Sequence, residues 1–200
     1  RNKPFEAFFI RCLTVMIIGV TIIGHIIIST RIYSLKTYPI GAGADTILTY
    51  ATDISPIGAC VNVAIEEIRK LVKEDETLLV LPEGIMLNYL SRRVNPFQYI
   101  HFMPFEQEMI GEDKILSTMV TCNPDYVVLI DRDVSEFGYK GFGVDYGLNV
   151  FAWIKENYKP LKKITNVSNT GREFNIIISK RIKTKKVTII FIFTKSKNFN

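Results

Sequence analysis

The chain contains 200 residues, of which 48% are hydrophobic and 22% are charged, and its formal net charge is +5. This length suits one domain, or one domain with a membrane segment, and the apolar fraction excludes a chain too polar to form a core. The charge is uneven, because residues 159–200 contain eleven Lys and Arg against one acidic residue, while the remainder of the chain is acidic.

A membrane-spanning helix is predicted near the N-terminus. The segment Cys12–Ser29 contains no Lys, Arg, Asp or Glu. With Ala7–Ile10 before it, the apolar run reaches the roughly 20 residues that cross a bilayer. A signal peptide is the alternative, but its apolar core is usually about 7–15 residues, and no cleavage site is clear. The balance of flanking Lys and Arg weakly favours an N-terminus inside the cell.

His25 is a candidate functional group in this helix. The alternative is that its side chain simply forms a hydrogen bond with a carbonyl group on a neighbouring helix.

Downstream of this segment, helical and strand patterns alternate. Apolar residues at three- and four-residue steps predict helices over Ile57–Lys73, Ile85–Arg92, Asp113–Thr121 and Asp145–Asn157. Short apolar runs predict strands over Thr77–Leu81, Tyr126–Ile130, Lys163–Val167, Phe174–Ser179 and Val187–Phe193.

This order of elements predicts an α/β fold with a mixed sheet. The first two strands are joined through helices and are expected to be parallel with a right-handed crossover, and the later strands are expected to add in antiparallel fashion. The predicted organisation is a transmembrane helix in residues 1–30, an irregular connector in 31–56, an α/β domain in 57–182 and a basic tail with an edge strand in 183–200.

The basic tail indicates a surface near phosphate, from lipid headgroups or nucleic acid. Lysines that keep an exposed strand edge soluble are the simpler interpretation. We expect a membrane-lipid partner and no nucleic-acid partner.

The three cysteines do not have the spacing of a metal site. Cys60 and Cys122 could pair outside the cytoplasm, although two buried free thiols are the simpler interpretation. We expect no metal and no cofactor.

Polar side chains follow the two predicted core strands where each strand ends. Ligands of open α/β sheets bind outside the carboxyl ends of strands, so these side chains are candidate contacts for a hydroxyl-rich or phosphate-bearing ligand. Structural roles are the alternative, in which Glu83 stabilises a helix start and Asp131 pairs with Arg92 or Arg93. The candidates are Glu83, Asn88, Arg92, Arg93, Asn95, Asp131, Arg132, Asp133 and Glu136.

Three further features of the sequence bear on chemistry. Asp131 and Asp133 could hold a metal against a nucleotide-sugar diphosphate, but no glycine-rich phosphate loop precedes them, and we favour the interpretation without metal. The aromatic stretch around His101 has no Ser or Cys nucleophile nearby. It is typical of a core, of a sugar-stacking surface or of a membrane interface. The glycine-rich segment 136–147 is expected to be a surface loop over the crevice.

Five short blocks in this order resemble the C-terminal part of bacterial GT-C type membrane glycosyltransferases. These enzymes are related to the dolichyl-phosphate-mannose–protein mannosyltransferases and the Rgt-type sugar transferases, and the likeness covers roughly residues 1–181. The blocks are TYPIGAGADTI, VLPEGIMLNYLSRRVNP, NPDYVVLIDRDVSEFG, FGVDYG and WIKENY.

The resemblance implies transfer of a sugar from a polyprenyl-phosphate carrier to an envelope acceptor. It implies a location in the bacterial inner (cytoplasmic) membrane, with the soluble domain on the extracytoplasmic side. The catalytic carboxylate of such enzymes lies in an early loop that has no counterpart here, so we expect no catalytic residue in this chain. Because the sequence begins with Arg1 rather than Met, we expect it to be a piece of a longer protein.

Overall fold

A computed structural model describes residues 3–167, 171 and 173–182 of the chain. Its first element is helix α1, Lys3–Ser34, a single helix of 32 residues. Residues Pro4–Ser34 are long and apolar enough to cross a membrane, and the apolar segment is not buried against the rest of the protein. At about 1.5 Å per residue the helix is roughly 48 Å long, which exceeds the roughly 30 Å of a bilayer's hydrocarbon core. Its ends therefore extend beyond the predicted segment Cys12–Ser29.

A small hairpin follows α1. Strand β1, Tyr38–Ile40, pairs antiparallel with β2, Ile47–Thr49. The prediction of an irregular connector is therefore wrong for these residues. Two strands of three residues each are too short to show an alternating pattern in the sequence.

The hairpin packs on helix α2, Ile57–Leu71. The Asn62 side chain donates to Pro39 O at 2.8 Å and accepts from Gly41 N–H at 3.1 Å. A Cβ atom at Gly58 would lie 2.5 Å from Thr49 Cγ2, so glycine allows the strand to approach the helix.

The main sheet has four strands in the order β3–β4–β6–β5. The first pair is parallel and the other two pairs are antiparallel, which confirms the predicted mixed α/β sheet. The strands are β3 Leu78–Leu81, β4 Tyr126–Ile130, β5 Tyr158–Val167 and β6 Glu173–Arg181. The remaining helices are α3 Ile85–Ser91, α4 Pro104–Ile110, α5 Glu112–Cys122 and α6 Leu148–Asn157.

Each face of the sheet is covered by helices, which gives three layers. Successive side chains of β3 belong to different hydrophobic cores. Leu78 and Val80 face one layer of helices, and Leu79 and Leu81 face the other. The first core joins α2 and α3 to the sheet, and the second joins α5 and α6.

Several element boundaries differ from the predictions. Helix α4 was not predicted; it begins with a proline at Pro104, and Glu106 Oε2 accepts the Met103 N–H at 2.7 Å as a cap. Strand β5 begins at Tyr158 rather than Lys163. The predicted strand Val187–Phe193 and the basic tail lie outside the described residues.

All three cysteines are free. Cys60 belongs to the core beneath α2, whereas Cys122 packs against the core on the opposite face of the sheet. The alternative of a Cys60–Cys122 disulfide is therefore wrong for this structure. Burial raises the pKa of the Cys60 thiol, so it is a poor nucleophile.

Candidate binding groove at the carboxyl end of β4

A groove of about 300 Å³ opens where β4 ends. Its floor is the sheet, and one wall is the loop that precedes α6. Strand register explains the floor. Leu129 pairs with Ile177, and Ile177 pairs with Lys163 on the next strand, so their side chains form one row across the sheet.

The next row across the floor is polar. The Asp131 N–H donates to Asn175 O at 2.9 Å. Asn175 pairs with Thr165 of β5, whose hydroxyl donates to Asn175 Oδ1 at 2.8 Å. The groove therefore grades from an apolar floor to a polar mouth along the direction of β4.

The groove exists because the two faces of β6 are covered unequally. Ile176 and Ile178 point toward α2 and are fully buried. Ile177 points to the other face and is only half-buried, as is Leu129 beside it. The core under α5 and α6 is built on β3 and on the first part of β4, so this end of the sheet remains open.

The loop wall is held in shape by Asp145. Its carboxylate accepts from Lys140 N–H at 2.8 and 3.0 Å and from Gly141 N–H at 3.1 Å. These backbone hydrogen bonds, the one from Lys140 first, lower the pKa of Asp145 below its ordinary value. Phe142 of this loop and Phe151 of α6 add aromatic surface to the groove.

The groove has a positive rim. Lys140, Lys163 and Arg132 line it, together with the single carboxylate of Asp131. Among the described residues, neither lysine forms an ion pair with an acidic side chain. Two uncommitted ammonium groups beside an aromatic surface suit an anionic ligand that carries a ring.

Arg132 joins the groove to the end of β3. Its Nε donates to Glu83 Oε2 at 2.8 Å, and its Nη2 donates to Glu136 Oε1 at 2.9 Å. The hydrogen bond to Glu83 is the largest cause of the raised pKa of the Arg132 guanidinium. Asp133 lies in the same turn, where its carboxylate accepts the Ser135 N–H at 3.0 Å. The structure thus brings together five of the predicted residues: Glu83, Asp131, Arg132, Asp133 and Glu136.

The other four predicted residues lie at the opposite end of β3. Helix α3 runs back along the strand, so Asn88 Nδ2 reaches Leu78 O at 2.7 Å, at the first residue of β3. At about 3.3 Å per residue, the five-residue step from Leu78 to Glu83 spans roughly 16 Å. Asn95 accepts the Phe97 N–H in the chain that follows.

The two arginines after α3 have structural roles. Buried Arg93 donates to four carbonyl oxygens: Val72 O at 2.8 Å, Ser91 O at 3.0 Å, Arg92 O at 3.2 Å and Arg69 O at 3.4 Å. Exposed Arg92 forms an ion pair with Asp45 in the hairpin turn. The alternative in which Asp131 pairs with one of these arginines is therefore wrong.

A cluster near the groove was not predicted. His101 Nδ1 lies in close contact with Glu106 Oε1, without the alignment of a hydrogen bond. Burial raises the pKa of Tyr146 nearby, and its hydroxyl has no hydrogen-bond partner among the described residues. His101 and Glu106 are five residues apart across the unpredicted start of α4, so the sequence pattern gave no signal for this contact.

Two simple ligand sites are not supported. No group of three His, Cys, Asp or Glu among the described residues is placed to hold a metal ion. The N-terminus of α6 does not offer free amides to a phosphate, because Glu112 Oε1 accepts the N–H groups of Asn149 at 2.7 Å and Val150 at 3.0 Å.

The groove and the end of α1 lie at the same end of the domain. Ala51 N–H donates to Leu35 O just after α1. From there the chain enters α2, whose Cys60 Sγ lies 4.0 Å from Phe174 O, the neighbour of the groove residue Asn175. The groove therefore opens at the end of the sheet nearest the helix terminus, on the opposite face from α2.

No protein-family model, curated protein or solved structure matches this chain.

Proposed function

We propose that this chain is a membrane-anchored accessory part of a glycosyltransferase that takes sugar from a polyprenyl-phosphate donor and passes it to an envelope acceptor. In this proposal α1 spans the membrane, and the groove at the end of β4 binds the phosphate-bearing ligand. The domain lies on the extracytoplasmic side of a bacterial inner membrane. The chemistry belongs to residues outside this chain, and no residue here is assigned a catalytic role.

One observation carries the proposal. The groove, with two lysines that form no ion pair among the described residues, opens at the end of the sheet where the long apolar helix meets the domain. A polyprenyl phosphate has its charge at the membrane surface and its chain in the bilayer. A binding site for this lipid must therefore select anionic ligands. It must also lie close to the point where α1 leaves the membrane. The block pattern in the sequence supports the same enzyme class.

In this proposal the groove residues have separate roles. Lys140 and Lys163 are placed to bind phosphate oxygens by charge-assisted hydrogen bonds. Asp131 is placed to accept hydrogen bonds from sugar hydroxyls, and Phe142 and Phe151 offer ring faces and edges. Arg132 is already bonded to two carboxylates and mainly positions the turn.

Native mass spectrometry of the whole chain in detergent tests the proposal. The probes are polyprenyl phosphate and the matching polyprenol, which lacks the phosphate. We expect retention of the phosphate form alone, and a loss of at least about tenfold in affinity when Lys140→Gln and Lys163→Gln are combined. Lys159→Gln is the matched control, because this exposed lysine lies at the start of β5, away from the groove. Equal retention of the two lipids, or full retention in the double variant, contradicts the proposal.

A second candidate is a stand-alone membrane-anchored module that binds a glycan or a phosphate. The observation that favours it is that the groove combines the ammonium groups of Lys140 and Lys163, the Asp131 carboxylate and the rings of Phe142 and Phe151, which suit a small sugar phosphate. It predicts that a soluble hexose 1-phosphate binds as tightly as polyprenyl phosphate. Competition between the two ligands separates the candidates, since the accessory part of a lipid-linked transferase is expected to prefer the lipid form.

A further inference from the structure

An exposed apolar surface lies where α1 joins the domain. In the segment 50–57, Ile54 is 49% exposed and Ile57 is 44% exposed. Tyr33 and Leu35, at the end of α1 and just after it, are also exposed. Apolar and aromatic side chains in this position are typical of a membrane–water boundary.

Two contacts tie this segment to the end of the helix. Ala51 N–H donates to Leu35 O at 3.3 Å. Lys36 Nζ lies 4.6 Å from the centre of the Tyr33 ring and 5.8 Å from that of Tyr50, so one ammonium group contacts a ring on each side of the junction. The segment 50–57 is therefore held against the helix end rather than free to leave it.

The depth of the segment follows from the helix. The charge-free run Cys12–Ser29 has 18 residues and is about 27 Å long, close to the thickness of a hydrocarbon core. Leu35 lies six residues beyond Ser29, which is about 9 Å further along a helix. The headgroup layer occupies roughly 5–8 Å on each side. Leu35, and the segment 50–57 that is hydrogen-bonded to it, therefore lie at the outer edge of the headgroup layer.

We propose that residues 50–57, with Tyr33 and Leu35, form an interfacial foot that rests in the lipid headgroup layer where α1 leaves the membrane. This inference rests on the membrane span of the proposed function and goes beyond it, since it fixes how the domain is oriented. Ile54 and Ile57 supply apolar area. Lys36, beside the rings of Tyr33 and Tyr50, adds a positive charge that suits the phosphate of a lipid headgroup. Contact there directs the groove end of the sheet toward the bilayer.

Spin-label accessibility in the full chain tests this contact. Single cysteines are placed in a background of Cys12→Ser, Cys60→Ala and Cys122→Ala, in phosphatidylcholine nanodiscs. Ile54→Cys probes the foot and Ile22→Cys probes the middle of α1. Val94→Cys is the control. Val94 is 62% exposed, and its carbonyl accepts the Leu78 N–H at the start of β3, the far end of the domain.

The proposal predicts an ordered set of accessibilities. The label at position 22 is expected to be accessible to oxygen and shielded from a water-soluble nickel complex. The label at position 94 is expected to show the reverse. The label at position 54 is expected to be several-fold less accessible to nickel than the label at position 94. If position 22 is in hydrocarbon but position 54 matches position 94, the foot is overturned and the span stands. If position 22 itself is water-accessible, the span fails and the foot fails with it.

A second measurement covers the case in which the cysteine-free background does not fold. Ile54→Trp in a Trp153→Phe chain, which keeps its native cysteines, is titrated with brominated phosphatidylcholine. Quenching of the tryptophan emission is expected in this variant, whereas Val94→Trp in the same chain is not quenched. Equal, weak quenching of both overturns the foot.

Discussion

The Arg132 Nε atom donates a 2.8 Å hydrogen bond to Glu83 Oε2, and this ion pair joins the segment after β3 to the segment after β4. It confirms that side chains after the two parallel strands meet at one end of the sheet. It also shows that Arg132 is committed to carboxylates. An incoming phosphate would have to displace Glu83 or Glu136 from it. Lys140 and Lys163, which form no ion pair within the described part of the chain, are therefore the better anion ligands.

Arg132→Gln is expected to lower stability only slightly. The Arg132 side chain is 37% exposed and those of Glu83 and Glu136 are 49% and 58% exposed, so water screens both pairs. Exposed pairs are worth about 0–1 kcal/mol each. We expect a fall of a few degrees at most in the midpoint of thermal unfolding. The fluorescence emission of Trp153, the only tryptophan, measures this midpoint. A loss as large as that of a core variant would show that this pair organises the whole end of the sheet.

Arg93→Ala is expected to be far more damaging than Arg92→Ala. Arg93 is 9% exposed and donates to carbonyl oxygens of Val72, Ser91 and Arg69, which would lose their partner. Leaving buried acceptors unpaired costs about 1–3 kcal/mol. The exposed Arg92 pair with Asp45 is worth about 1 kcal/mol or less. Denaturant unfolding of the two variants measures the difference, and equal losses would contradict the assignment of Arg93 as the structural arginine.

The positions of the candidate polar residues show how much of the site the sequence could predict. Apolar periodicity located α2 and both parallel strands, because burial on one or two faces imposes a regular pattern. It also placed Glu83 and Arg132 together, since parallel strands end at the same edge. It did not show that Asn88, Arg93 and Asn95 lie at the other end, because a helix after a strand runs back along it. That return depends on helix length, and helix boundaries are only loosely fixed by sequence.

The elements that were missed are short or irregular. Strands β1 and β2 have three residues each, and α4 has seven, so none completes enough periods to be distinguished from a loop. The groove floor was missed because Lys163 was assigned to the start of a strand, while it lies in the middle of β5 opposite Ile177. Cross-strand neighbours follow from register, which a single strand's pattern does not specify.

Neighbouring isoleucines of β6 provide a matched test of the groove. Ile178 is fully buried beneath α2, whereas Ile177 is half-buried on the groove floor. Ile178→Ala leaves a cavity in a packed core and is expected to cost about 2–5 kcal/mol. Ile177→Ala removes area that water already reaches, so we expect roughly half that loss. Denaturant midpoints of the two variants give the comparison, and equal losses would mean that the groove is closed in solution.

The shape of the groove wall is expected to depend on acid pH through Asp145. Its folded-state pKa lies below its ordinary value because its carboxylate accepts the Lys140 and Gly141 amides. A group with a depressed folded pKa stabilises the fold above its unfolded pKa, about 3.9 for aspartate, and that stabilisation is lost as pH falls through the folded value. The wall should therefore be intact at neutral pH and loosen only in strong acid.

Amide hydrogen exchange measures this loosening residue by residue. Protection factors of the Lys140 and Gly141 amides, corrected for the intrinsic rate, are expected to fall as pH drops from about 5 to about 2. The Val127 amide in the middle of β4 serves as the internal control and should stay protected. Asp145→Asn keeps the shape of the side chain without the charge. In this variant the Lys140 and Gly141 amides should be less protected at neutral pH, and their protection factors should not change in acid. Loop protection that is unchanged by acid in the native chain would show that Phe142 packing, rather than the carboxylate, holds the wall.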